Sequence, residues 1–165
     1  MGNAIVLGVG DLGASAQTGA VIKTYALGSC IAVIVLDRKT RCVGMVHIAL
    51  PESETSPEKA KTLPGYFADT GIPALFNAMR KAANGALSQP ADLIVKICGG
   101  ANVSDKNNVF NIGKRNALAI KKILWKYGLA PRAEDTGGDY SRTVAVYQSN
   151  GLVELSSPNK PNWKL

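Results

Sequence analysis

The sequence is poor in the residues that hold metals. It has one histidine, His47, and three cysteines, Cys30, Cys42 and Cys98, with no CxxC pair among them. No His/Cys ligand set of familiar spacing can be drawn from these, so no metal and no cofactor are expected. The odd cysteine count also argues against a disulfide framework and for reduced thiols in the cytoplasm. Aromatic residues make up only 6% of the chain and are not interleaved with its basic runs, which speaks against nucleic acid. No apolar window approaches transmembrane length. The apolar stretch Ala4-Ile5-Val6-Leu7 has no basic residue before it and is followed by Asp11, so it does not read as a signal peptide.

What is present suits one globular unit. A chain of 165 residues can bury a single good core and is short for two; a domain over residues 1–155 is expected, with 156–165 as a C-terminal tail. The net charge of +7 gives a basic surface, suited to solubility or to an acidic protein partner. The turn signals and periodicities predict strands at 4–9, 21–24, 31–36, 42–49, 92–98, 130–134, 143–148 and 151–155, and helices at 66–84 and 112–127. In the first helix Asp69 and Thr70 are candidate caps and Pro73 suits the first turn. In the second, Ile112, Leu118, Ala119, Ile123 and Tyr127 are expected on one side. Residues 51–64 read as a polar surface loop able to overhang a pocket.

The informative stretch is Thr24-Tyr25-Ala26-Leu27-Gly28-Ser29-Cys30, continuing through a β-branched run to Asp37-Arg38-Lys39-Thr40 and a second run that contains His47. The polar tetrapeptide predicts an antiparallel hairpin. With a four-residue loop, Leu36 pairs with Arg41 and Cys30 lies directly opposite His47, within reach of proton exchange; a five-residue loop would turn His47 to the other face. The plain alternative is a core cysteine and a hydrogen-bonded interior histidine. Gly28 and Ser29 weigh against it, because they leave the sulfur open to a substrate and their region offers backbone N–H groups to an oxyanion. Gly8-Val9-Gly10-Asp11-Leu12-Gly13 also fits the dinucleotide fingerprint formally, but Gly19 and Gly28 would interrupt the helix that this motif needs. Turn residues are the preferred reading of these glycines.

Taken in order, Leu27-Gly28-Ser29-Cys30 with Thr24 upstream, Met45-Val46-His47-Ile48-Ala49-Leu50-Pro51, Lys96-Ile97-Cys98-Gly99-Gly100-Ala101, Ile112-Gly113-Lys114-Arg115-Asn116, and Glu134-Asp135-Thr136-Gly137-Gly138 with Arg142 resemble the CheD family of chemotaxis receptor glutamine deamidases. The resemblance runs over residues 6–155. It implies that Cys30, His47 and Thr24 are the catalytic cysteine, histidine and threonine. It also favours Gly28, Ser29, Gly99 and Gly100 as substrate-binding positions, where glycines would let a substrate backbone pass close to Cys30. One departure is Cys98, where an aromatic residue is expected. The implied fold is α+β, a layered β-sandwich-like core of mixed and antiparallel strands flanked by two long helices, similar to bacterial toxin deamidases. The implied reaction is hydrolysis of glutamine side-chain amides in methyl-accepting receptors, giving glutamate and ammonia in the cytoplasm. The implied partners are the receptors' cytoplasmic helices and a CheC-type phosphatase. Two alternatives stay open: a binding module that regulates such a phosphatase with little activity of its own, and, behind it, a dinucleotide-binding protein.

Overall fold

A computed structural model describes residues 4–103 and 110–165. The first half of the chain forms β1 (Ala4–Leu7), β2 (Leu12–Ser15), β3 (Val21–Leu27), β4 (Ile31–Asp37), β5 (Val43–Ile48), a short helix α1 (Pro57–Thr62) and α2 (Ala68–Ala82). The second half adds β6 (Leu93–Gly99), α3 (Ile112–Lys126), β7 (Pro131–Thr136), β8 (Arg142–Tyr147), β9 (Val153–Ser157) and β10 (Lys160–Lys164). Two five-stranded sheets result, one in the order β1-β3-β8-β9-β10 and the other β2-β5-β4-β6-β7. Pairing is antiparallel except for β1 with β3 and β6 with β7.

The layering follows from the central strands. The unbroken apolar run of β4 is what a strand covered on both faces requires. Ile31, Val33 and Val35 pack with Val46, Ile48 and the apolar sides of α2 and α3. Ala32 and Ile34 point the other way, onto Val43, Met45 and residues of the first sheet such as Ile22 and Val144. The molecule is therefore three layers deep: first sheet, second sheet, helices. This is the expected α+β layered fold.

The hairpin differs from expectation by one residue at each end. Asp37, assigned to the loop from composition, continues β4, and its N–H donates to the Cys42 carbonyl at 2.9 Å. Its carboxylate accepts from the N–H groups of Lys39, Thr40 and Ser88. Burial alone would raise the Asp37 carboxyl, but these hydrogen bonds outweigh it and hold the group below its ordinary value. The loop is thus Arg38 to Arg41, ending on a left-handed Arg41 (φ 62°). Leu36 pairs with Val43 and Ala32 with His47, in place of the expected Leu36–Arg41 and Cys30–His47 pairs. The pairing moves by an even number of positions, so His47 keeps the face of Cys30 and becomes its diagonal neighbour.

Other expectations are corrected in the same way. Helix α2 starts at Ala68 with Pro73 inside it, and Asp69 does not cap it but accepts from Ser53 N and Oγ. Residues 51–64 include helix α1. Helix α3 buries Gly113, Asn116, Ile120 and Leu124 and leaves Leu118 exposed. The cause is Gly113, where a Cβ would stand 2.2 Å from the Gly100 carbonyl; this close approach turns the small side of the helix to the sheet. The expected tail pairs as β10 on β9, and Trp163 Nε1–H donates to Asp135 Oδ2 at 2.6 Å. The boundary at residue 155 therefore falls inside β9. The Gly8–Gly13 glycines lead into β2 and not into a helix, which removes the phosphate-binding helix N-terminus of the dinucleotide reading.

Candidate active site

His47 stands on β5 with its ring turned into the space between the sheets, 2% exposed. Thr24 faces it from β3. Strand β3 belongs to the opposite sheet from β5, so the contact crosses the sandwich. Thr24 Oγ1 lies 2.8 Å from the Leu7 carbonyl and 2.7 Å from His47 Nδ1. One hydroxyl carries one proton, and a carbonyl can only accept, so Thr24 donates to Leu7 O and His47 Nδ1–H donates to Thr24 Oγ1. The network thereby fixes the imidazole tautomer, leaving Nε2 with its lone pair. Nε2 is buried and has no hydrogen-bond partner among the described residues. The His47 backbone is pinned as well, its N–H donating to Asp11 O and its carbonyl accepting from Gly10 N–H.

Cys30 follows Gly28-Ser29 and immediately precedes β4, half-buried, on the His47 face. A left-handed Ala26 (φ 54°) sets up this turn. It interrupts the pairing of β3 with β8 between Thr24 and Leu27, so that Thr24 and Leu27 both point inward although three residues apart. Across the turn, Gly100 N–H donates to Cys30 O and Ala101 N–H to Gly28 O, each at 2.8 Å. Gly99 makes this possible, since a Cβ there would lie 2.2 Å from Cys30 O, and its φ of 115° suits glycine. Burial pushes the Cys30 thiol up from its ordinary value, only partly countered by its own backbone N–H. Burial also pushes the His47 imidazolium down, with the Asp11 carboxylate opposing. Both directions favour a neutral thiol beside a neutral imidazole.

Gly28 and Ser29 line a cleft of about 280 Å³ with Ala101, Asn102, Val103, Phe110 and Ile112. Its lining reaches Ser29 and does not include Cys30, His47 or Thr24, so a group entering it must extend past Ser29 to meet the sulfur. The sequence over 102–111 is polar and loop-like, and of these residues 104–109 lie outside the described residues. The other thiols are sealed. Cys42 faces the helices and burial pushes it up to about 11; Cys98, beside Ala32 on the His47 face, is pushed up to about 12, again by burial first.

The family model described as CheD chemotactic sensory transduction matches residues 49–157. A probable chemoreceptor glutamine deamidase CheD of Syntrophotalea carbinolica is 48% identical over 161 residues, 98% of each chain. The chain belongs to the CheD family. A probable chemoreceptor glutamine deamidase CheD 1 of Syntrophus aciditrophicus is 42% identical over 95% of this chain and 96% of its own. One of Methanococcus vannielii is 36% identical over 92% and 94%. In this CheD-family chain Thr24, Cys30 and His47 precede the span of the family model, whereas the long alignments extend over nearly the whole chain.

Two further residues of this CheD-family protein organise the site. Asn116 on α3 is fully buried, and its Nδ2 donates to Ser29 O and Ala49 O, both at 3.0 Å. Two carbonyls at one end of the amide fix that end as the NH₂. Asn116 thus ties the residue before Cys30 to the segment that follows His47. The signal for it in sequence is a polar side chain on the buried line of an amphipathic helix. Arg142, 2% exposed, donates through Nε and Nη2 to Asp135 Oδ1 and through Nη1 to Gly99 O. It holds the carbonyl of the glycine that packs on Cys30.

Proposed function

We propose that this CheD-family protein is a chemoreceptor glutamine deamidase, with Cys30 as nucleophile, His47 as base and acid, and Thr24 as the group that orients His47. The observation that carries the assignment is the 2.7 Å contact between His47 Nδ1 and Thr24 Oγ1, which leaves Nε2 as a lone-pair acceptor with no hydrogen-bond partner among the described residues. Third-group orientation of a catalytic imidazole is the logic of triads in general.

Burial favours the neutral form of each group, and the thiol proton passes to His47 Nε2 as sulfur attacks. The new C–S bond converts the carboxamide to a tetrahedral oxyanion. The Ser29 N–H, which donates to no described residue, is available to it, and Gly28 and Ser29 line the substrate's approach. His47 returns the proton to nitrogen, ammonia leaves, and a γ-glutamyl thioester remains. Water, deprotonated by Nε2, hydrolyses the thioester, giving glutamate and the free thiol. Gly99 and Gly100 serve this reaction by seating the Cys30 backbone, and Asn116 is a positioning residue. The site of action is the cytoplasm, where receptor signalling helices lie. A CheC-type phosphatase remains a candidate partner; a role confined to regulating it would require neither Cys30 nor His47.

Incubating a chemoreceptor cytoplasmic fragment with the purified protein should release ammonia and convert specific glutamines to glutamate by mass spectrometry. Cys30→Ala should abolish both. Conversion at the wild-type rate by Cys30→Ala would end the assignment.

A further inference from the structure

The outer face of α3 is built for contact. Opposite its buried line stand Lys114, Arg115, Leu118, Lys122, Trp125 and Lys126, spaced as one face of a helix. Leu118 is 55% and Trp125 77% exposed. Seven residues apart, they lie two turns from each other along the same stripe. Among the described residues none of the four cations in this group forms an ion pair, whereas Lys121 at the edge of the face is held by Glu134 at 2.7 Å. An exposed tryptophan and leucine framed by four cations with no ion pair among the described residues is the composition of a binding surface with an apolar anchor and a charge-selecting rim.

The position of this face says what it receives. Lys114 and Leu118 line a depression of about 380 Å³ together with Gly100, Asn102 and Gly137. Asn102 is also part of the cleft beside Gly28 and Ser29. The stripe therefore begins at the approach to Cys30 and runs from Lys114 to Trp125, roughly 17 Å at 1.5 Å per residue. A segment lying along it needs three turns of helix, apolar side chains at a two-turn spacing and carboxylates beside them. A bilayer would cover the cleft without delivering a glutamine into it.

We propose that this face docks an acidic, amphipathic helix of the substrate protein, with apolar side chains on Leu118 and Trp125 and carboxylates against Lys114, Arg115, Lys122 and Lys126. Docking there presents a glutamine of the same protein to the cleft. The proposal rests on the deamidase reading and names the surface through which that site finds its substrate.

The test has two parts. With an acidic, glutamine-bearing helical fragment of a chemoreceptor, the Leu118→Ser/Trp125→Ser variant should raise KM at least about tenfold while kcat at saturation is retained. Lys122→Glu should flatten the salt dependence of kcat/KM. Iodoacetamide labelling of Cys30 should be unchanged in both variants, which reports an intact fold and site. An unchanged KM in the double variant overturns the proposal. Separately, binding of the fragment to the inactive Cys30→Ala protein, read from Trp125 fluorescence, should be lost with Leu118→Ser. This arm needs no turnover, so absence of ammonia release from the wild type would count against the deamidase reading alone. If binding fails with the fragment but occurs with phosphatidylglycerol vesicles, or if the substitutions only dissolve a dimer, the surface serves another partner and the proposal falls.

Discussion

The two faces of the second sheet are made by alternate residues of the same strands, yet they are different environments. Toward the helices, Ile31, Val33, Val35, Val46 and Ile48 close a layer of aliphatic side chains into which α3 sets the buried amide of Asn116. Toward the other sheet, the same strands offer Ala32, His47 and Cys98, and the opposite wall adds Thr24 and Arg142. Position parity along a strand decides which side a residue joins. The helix side holds the larger cluster of buried apolar residues, with the sealed Cys42 thiol among them, and the linked pair of His47 and Thr24 stands on the second. Burial alone does not make the distinction, since His47 and Leu75 are both out of solvent; what differs is that among the described residues His47 has a partner on one nitrogen and none on the other.

This contrast can be broken by paired substitutions. His47→Gln keeps much of the side-chain volume and removes the base, so kcat should fall about a thousandfold, within the usual worth of a general base, with only a small change in Tm. Leu75→Ala on the helix side should do the reverse, costing about 2–5 kcal/mol of stability by the cavity it leaves while folded protein keeps its turnover. Urea titration alongside ammonia release measures both, and matched losses in both variants would erase the division between the faces. Thr24→Val is isosteric and removes the acceptor of Nδ1–H, so kcat should drop roughly ten- to a hundredfold, less than loss of a charged third group in serine triads.

Acid sharpens the comparison further. Burial holds the folded His47 below the ordinary 6.5, so between the folded value and 6.5 the unfolded chain binds more protons. Stability should therefore decline as pH falls below about 6.5, and kcat/KM should fall through the folded His47 value, because the protonated ring is no longer a base. In His47→Gln the stability decline over this window should flatten when Tm is followed from pH 7 to pH 5. A decline unchanged by the substitution would assign it to other groups. The smallest effect is expected at Ala26, whose φ of 54° is costly for a residue with a Cβ. Ala26→Gly should gain at most about 1 kcal/mol in denaturant titration, after the added flexibility of the unfolded chain is subtracted.

Local signals were enough for much of this molecule. The β4–β5 hairpin, both long helices and the β8–β9 hairpin stand close to where periodicity and turn residues put them, because each is decided by neighbours in sequence. The register of β4–β5 was not legible, since Asp37 is as good a strand end as a loop residue and only its bonds to Ser88, fifty-one residues on, distinguish the two. The sheet that owns Thr24 was not legible for a related reason: β3 pairs with β8, more than a hundred residues later. The rotation of α3 depends on a backbone approach between Gly113 and Gly100 that no pattern of apolar residues encodes. The same approach hides Asn116 in the interior and brings Leu118 out.

The division of Thr24 and His47 between sheets also has an order in time. Synthesis delivers β4 and β5 early, and a hairpin of neighbouring residues can close as soon as both strands have left the ribosome. Thr24 is released earlier still, but its strand lies between β1 and β8, and Arg142, the first residue of β8, also secures the Gly99 carbonyl behind Cys30. A growing chain therefore carries its cysteine and histidine for most of its length before the hydroxyl that orients the imidazole has a sheet to stand in. On the roles proposed for Cys30, His47 and Thr24, the site is completed only with the last quarter of the polypeptide, and a chain released early lacks the wall that holds Thr24 against His47.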